Sequence, residues 1–286
     1  MGYFAKFSIF FILFLAAAQA SLVKSLGLKY PAQPGPEFDG AVRTLFTDQV
    51  VENQPQIVLI GDSVLRDSID PDVLRELTGY RIEVFDVPGS ASAYWYLILK
   101  NNLDGVDNPP DHIFIFFRDT MLTTPDFRVT GDYLPRLDEF ADADEPLLLK
   151  LAYIQPMTPL EQLMETYLPL YSEREQLYGK INDHAKSALP ARALRCGSEC
   201  VEQALTEVFA SPLLDEEGLE LEVGEKENYL YDRKNTRFAR QVERSFLPEI
   251  IRLSQENGMQ LIMVRAKTTR HPTREETPPE LVTYLE

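Results

Sequence analysis

The chain has 286 residues, 44% of them hydrophobic, and carries 45 acidic against 28 basic side chains for a formal charge of −17. That is enough apolar material for a sizeable core, at a length that suits one or two domains. So acidic a surface repels phosphate backbones, which excludes nucleic acid as an expected partner.

The first segment differs from all that follows. Lys6 gives a short basic start, Phe7 to Ala18 is apolar except for Ser8, and Ala18-Gln19-Ala20 fits the small-x-small pattern of a cleavage site. Residues 1–24 are expected to be a secretory signal peptide. The alternative is an N-terminal membrane anchor, since Phe7 to Val23 approaches the roughly 17–25 residues that span a bilayer. Both predict export. Residues 25–54 hold "YPAQPGPEFDG" and a short amphipathic stretch, and read as a lead-in to the folded body.

A strand–helix alternation then begins. Gln56 to Ile60 is expected to be a strand, and Pro71 to Leu77 a helix with proline at its start and Gly79 at its end. Arg81 to Val87 is a second strand, and Ala93 to Asn101 a helix. His112 to Phe117, "HIFIFF", is a third strand, apolar throughout as if covered on both faces. From Asp119 to about Arg240 no strand is predicted. "PLLLKLAYI", "PLEQLMETYLPLYSEREQLYGKINDHAKSAL" and "CVEQALTEVFA" carry helical spacing and form a helical insertion, about residues 120–240. The acidic stretches Asp138 to Glu145 and Asp215 to Glu227 are expected to be solvated. Cys196 and Cys200, in "CGSEC", predict a local disulfide in an oxidising compartment. Free thiols and a two-thiol metal site are the alternatives, though no histidine or third cysteine lies close in sequence. The alternation resumes with a helix from Val242 to Glu256 and a strand from Met259 to Val264. Alternating strands and helices predict an α/β fold, a parallel sheet flanked by helices.

Ligands of open parallel sheets sit outside the carboxyl ends of the strands. "IVLIGDSVLRDSIDP", Ile57 to Pro71, ends its apolar run at that rim in Gly61-Asp62-Ser63. Gly61 permits a sharp turn there, and Ser63 is a candidate nucleophile; a plain tight turn is the competing explanation. The G-x-S-x-G elbow is not present, because Ser63 is followed by Val64 and Leu65.

"IGDS" directly after the first strand resembles block I of the SGNH, or GDSL, hydrolase superfamily. "VFDVPGSAS" then places Gly89 after the second strand, where that superfamily carries its second block. Together with "HIFIFFRDT", the pattern is most similar to exported bacterial SGNH-like proteins of cell-surface polysaccharide modification. The resemblance covers about residues 55–120 well and 242–265 loosely. It implies a flavodoxin-like sheet over residues 55–286, interrupted by the insertion. It also implies a serine esterase or O-acyltransferase acting on acyl, above all acetyl, esters of a carbohydrate. Ser63 would be the nucleophile, with the amides of Ser63 and Gly89 holding the oxyanion. No metal or organic cofactor is implied. A membrane-bound acyl-transfer or export partner is.

The third block departs from the pattern. Where the superfamily carries Gly-x-Asn-Asp, this chain has Phe117-Arg118-Asp119-Thr120, and an ionised Asp119 cannot donate a hydrogen bond. Arg118 can supply positive charge to the oxyanion, or pair with Asp62 or Asp119. Arg66 is likewise a substrate clamp or an ion-pair partner. A serine also needs a base. Of three histidines, His112 opens the third strand at the wrong rim, His184 lies in the insertion, and His271 follows the fourth strand on the right rim. The candidate catalytic set is Ser63, Gly89, Arg118, Asp62 and His271. The superfamily's Asp-x-x-His block and a fifth strand have no counterpart, so the chain is expected to lack the C-terminal part of the domain. Two other function classes stay open: a non-catalytic carbohydrate-binding or scaffold protein of a polysaccharide secretion complex, and a helical interaction protein with the α/β part as support.

Overall fold

A computed structural model describes residues 2–27, 30–118, 120–174, 230, 237–266 and 283–284. The chain divides into two compact units. One comprises Met1–Gly35 and Met157–Gly224, the other Pro36–Pro156 and Glu225–Glu286.

In the first unit a single helix runs from Gly2 to Leu26. Its Tyr3–Ser25 portion is long and apolar enough to cross a membrane, and none of its most apolar stretch is buried. That exposure is what either an anchor or a signal sequence would show, which is weakly compatible with export. A second helix, Pro159–Tyr167, starts with a capping box: the Thr158 hydroxyl accepts from the Glu161 amide, and the Glu161 carboxylate accepts from the Thr158 amide.

The second unit holds the sheet. The strands and the helices around them run, in chain order, α1 (Leu45–Asn53), β1 (Ile57–Gly61), α2 (Ser63–Ser68), α3 (Pro71–Thr78), β2 (Ile82–Asp86), α4 (Ser92–Ile98), β3 (His112–Phe117), α5 (Leu247–Glu256) and β4 (Gln260–Arg265), with shorter helices such as Leu134–Asp138 between β3 and α5. All four strands are parallel, in the order β2-β1-β3-β4. The expected α/β fold with a parallel, helix-flanked sheet is therefore present. Strands fall within a residue of the expected bounds because each is a short run rich in apolar residues, with β-branched residues in every one. α3 shows its signals equally well: Asp70 accepts from two first-turn amides, Pro71 opens the helix, and Gly79 closes it with φ +70°.

The two faces of the sheet are covered unequally. Val58, Ile60, Phe85, Ile113 and Ile115 point into the main core. Leu59 and Ile82 meet Leu65 in a smaller cluster, where Phe114 and Phe116 are only partly buried. β3, expected to be sealed on both faces, thus alternates between buried and half-buried residues. The lead-in segment also packs more closely than expected. Phe46 and Val50 of α1 are buried, and the Phe46 ring stacks on Phe85 with centroids 4.1 Å apart. Such a pair adds to stability beyond its buried area.

Two helices expected to be regular widen at their ends. The one begun at Ser92 becomes a π-helix over Leu99–Leu103. Leu149–Ile154, in the first stretch of the insertion, is likewise π-helical. The acidic stretch 138–145 is not uniformly solvated. Glu145 is fully buried, and its Oε1 accepts from Lys100 Nζ at 2.8 Å, Asn101 Nδ2 at 2.9 Å and the Asp142 amide at 3.2 Å. These three donors offset part of the water it loses, while the buried Oε2 has no partner among the described residues. Asp215 to Glu227, Cys196, Cys200 and His184 lie outside the described residues.

Candidate functional site

β1 ends at Gly61, opposite Asp86 at the end of β2. Ser63 and Gly89 follow these ends, so both stand at the carboxyl rim of adjacent strands. A Cβ on Gly61 would lie 2.9 Å from Leu65 Cβ and 3.2 Å from Phe116 Cβ. Only glycine lets the chain turn here into a helix packed directly on its own strand.

Asp62 and Ser63 make that turn. The Asp62 side chain accepts from the Val64 amide at 3.0 Å, so it is the N-cap of α2, and Ser63 is the first helical residue. The sequence shows this cap, an acid before a hydrophobic run, but the expected helix began only at Pro71. Ser63 is half-buried. Its hydroxyl has no hydrogen-bond partner among the described residues, and neither does its amide.

Gly89 sits in a tight turn. The Ser90 amide donates to the Val87 carbonyl at 2.9 Å, with Pro88 and Gly89 between them and Gly89 at φ +79°. Proline then a left-handed glycine is the signature of a type II turn. The Pro88 carbonyl accepts from Arg136 Nη1. In the planar peptide the Gly89 N–H points the opposite way, and among the described residues it meets no acceptor. A Cβ at Gly89 would lie 2.8 Å from Tyr133 Cε1, so this position is closed to side chains on two grounds.

The two loops are tied together beneath the rim. Fully buried Ser90 donates from Oγ to the Gly61 carbonyl at 3.0 Å, and the same Oγ accepts from Trp95 Nε1 at 3.1 Å. The Val87 amide also donates to the Gly61 carbonyl, at 3.1 Å.

Arg118 follows β3 on the same rim. Its Nη2 donates to Asp62 Oδ2 at 3.0 Å, with the two side chains 13% and 4% exposed. Of the two expected roles for Arg118, the geometry supplies the ion pair with Asp62. Asp62 itself serves as cap and counter-ion. Arg66 is exposed and pairs loosely with Asp67 at 3.4 Å and Asp86 at 3.8 Å. His112 begins β3 at the amino end, away from Ser63, as expected. His271 and Asp119 lie outside the described residues.

One residue has no motif to mark it. Arg128, in the loop after β3, has φ +59° without being glycine. Its Cζ lies 5.0 Å from the Phe127 ring centroid and 5.5 Å from that of Tyr133. Its Nη1 would stand 3.9 Å from a Cβ at Gly89. The loop around it is packed: Phe127 and Val129 are buried, and the Val129 carbonyl accepts from Tyr153 Oη at 2.6 Å. Tyr94 Oη donates to the Tyr133 carbonyl at 2.8 Å. Burial pushes both phenols well above their ordinary range, so they remain protonated donors.

Among the described residues no cluster of His, Cys, Asp and Glu could hold a metal ion. A cavity of about 350 Å³ is lined by residues such as Val50, Gln54, Asn102 and Asp104. These precede β1 and β3, so it opens at the rim opposite Ser63. Compared with known proteins, the chain matches no family model, no curated sequence and no solved structure.

Proposed function

We propose that the chain is an exported serine esterase or O-acyltransferase of the SGNH type, acting on acyl, above all acetyl, esters of a carbohydrate. One observation carries this reading. Ser63 and Gly89 stand at the same rim after neighbouring parallel strands, and among the described residues both backbone amides and the Ser63 hydroxyl lack partners. The strand order β2-β1-β3-β4 supports the same assignment, since it is that of the first four strands of a flavodoxin-like sheet.

In this reading Ser63 Oγ attacks the ester carbonyl and gives its proton to a base, for which His271 is the candidate within this sequence. The amides of Ser63 and Gly89 stabilise the oxyanion. The sugar oxygen leaves with the proton, and water or a second hydroxyl then takes the acyl group from Ser63. The N-terminal helix directs the protein to the periplasm or holds it at the membrane facing that compartment, where a membrane-bound acyl-transfer or export partner would meet it.

The Arg118–Asp62 pair favours a second reading. It ties up the side chain that is the candidate for a third oxyanion donor, as a non-catalytic carbohydrate-binding or scaffold protein would allow. A fluorophosphonate probe decides between them. The enzyme reading expects covalent labelling at Ser63, absent in Ser63→Ala. A folded protein that takes no label overturns it in favour of the binding protein.

A further inference from the structure

We propose that Arg128 is a clamp for an anionic oxyacid group carried by the sugar substrate, set beside Gly89 at the carboxyl rim. This rests on the assignment of that rim as the substrate site. Three observations meet at Arg128. First, it pairs with no described acid in a chain rich in acids. Among the described residues no carboxylate pairs with its guanidinium, and its buried Nε has no acceptor. Elsewhere in this unit Arg43, Arg75, Arg118 and Arg252 each hold an acid at 3.1 Å or closer. In a chain with 45 acidic residues, the Arg128 charge is left uncompensated by any described carboxylate.

Second, its backbone is strained and held so. A non-glycine residue at φ +59° is strained and persists only where its surroundings over-determine it, and such strain collects at ligand clamps. Here buried Phe127 and Val129 on either side, with the Tyr153 hydroxyl on the Val129 carbonyl, fix the loop. Third, the guanidinium is aimed. The Phe127 and Tyr133 rings hold it over their faces, and Nη1 stands next to Gly89. A planar guanidinium fixed this way matches a carboxylate or phosphate through two parallel hydrogen bonds. Arg136 differs: its Nη1 is engaged by the Pro88 carbonyl.

The test is calorimetric titration of the full chain with three probes: trigalacturonate, its methyl ester, and glucose 6-phosphate. Arg128→Asn is the informative variant, because asparagine tolerates the left-handed conformation while losing the charge. Wild type should bind trigalacturonate at least about tenfold tighter than the neutral ester, the scale of one charged hydrogen bond, and Arg128→Asn should erase the difference. Preference for glucose 6-phosphate instead, also erased in the variant, supports the clamp and assigns the anion to a sugar phosphate. Equal binding of acid and ester by wild type, with no tighter binding of glucose 6-phosphate, overturns the proposal without reference to any variant. So does a preference that survives in folded Arg128→Asn. Fluorophosphonate labelling of the wild type is scored separately. A chain that discriminates the anions but takes no label keeps the clamp and loses the esterase assignment.

Discussion

Arg118 Nη2 and Asp62 Oδ2 are 3.0 Å apart, and the same aspartate caps the helix that Ser63 begins. The end of β3 is thereby joined to the turn after β1 through a nearly water-free ion pair. Breaking a buried pair from one side is costly because it leaves the other charge behind. Arg118→Met should therefore destabilise the protein by about 3 kcal/mol. Asp62→Ala should cost about 1 kcal/mol more than Asp62→Asn, because asparagine still caps. Urea denaturation of the three variants checks both statements, and the double variant Arg118→Met/Asp62→Asn should cost less than the sum of its parts.

Gly79 and Gly89 share a left-handed backbone but not their surroundings. A Cβ at Gly79 meets nothing within 4 Å, whereas one at Gly89 meets the Tyr133 ring at 2.8 Å. Gly79→Ala should cost about 1–2 kcal/mol, the conformational penalty alone. Gly89→Ala should cost clearly more, and Tyr133→Ala in the same chain should recover part of the excess. Equal melting temperatures for the two alanine variants would contradict this.

Glu145 is a buried charge in the middle of an acidic run. Glu145→Ala leaves Lys100 Nζ and the Asn101 amide without their shared acceptor, and should cost about 3–5 kcal/mol. Glu145→Gln keeps an acceptor oxygen but loses the charge, and should fall between alanine and wild type. Chemical denaturation ranks the three.

The Glu161 carboxyl is held below the usual glutamate range, first by the Thr158 amide that it accepts from and then by the Thr158 hydroxyl. A lowered value in the folded state means stabilisation that is complete above the unfolded value and lost as pH falls through the folded one. NMR titration should place the Glu161 midpoint below that of a free glutamate. Thr158→Val, which keeps the amide but removes the hydroxyl, should raise it only partway. A midpoint at the free value would mean that the capping box does not form in solution.

The sheet was legible because its signal is local. Runs such as "IVLI" and "HIFIFF" between turn formers mark strands whatever their neighbours are. The rim was legible for the same reason: Ser63 and Gly89 are placed by counting from strand ends. Arg128 was not legible, since its stacking on Tyr133 and its approach to Gly89 join positions that are distant in sequence. Its one local trace, a left-handed backbone, leaves no mark in the sequence, because arginine is not among the residue types that signal that region. Glu145 misled because composition reports the average of its run, while burial is decided by Lys100 and Asn101 on another element. Arg118 was ambiguous for a related reason. The choice between oxyanion and ion pair turned on a 3.0 Å contact with Asp62, 56 positions away.

The chain contains a single tryptophan, and its indole N–H ends in the Ser90 hydroxyl beneath the candidate site. Selective excitation of the protein therefore lights one chromophore, at one depth, two hydrogen bonds from the Gly61 carbonyl. Its emission should be blue-shifted and poorly quenched by acrylamide. A ligand that moves either rim loop must disturb that chain of bonds, so the molecule carries its own optical gauge. Occupancy can be followed by native fluorescence, in a protein to which no label has been attached.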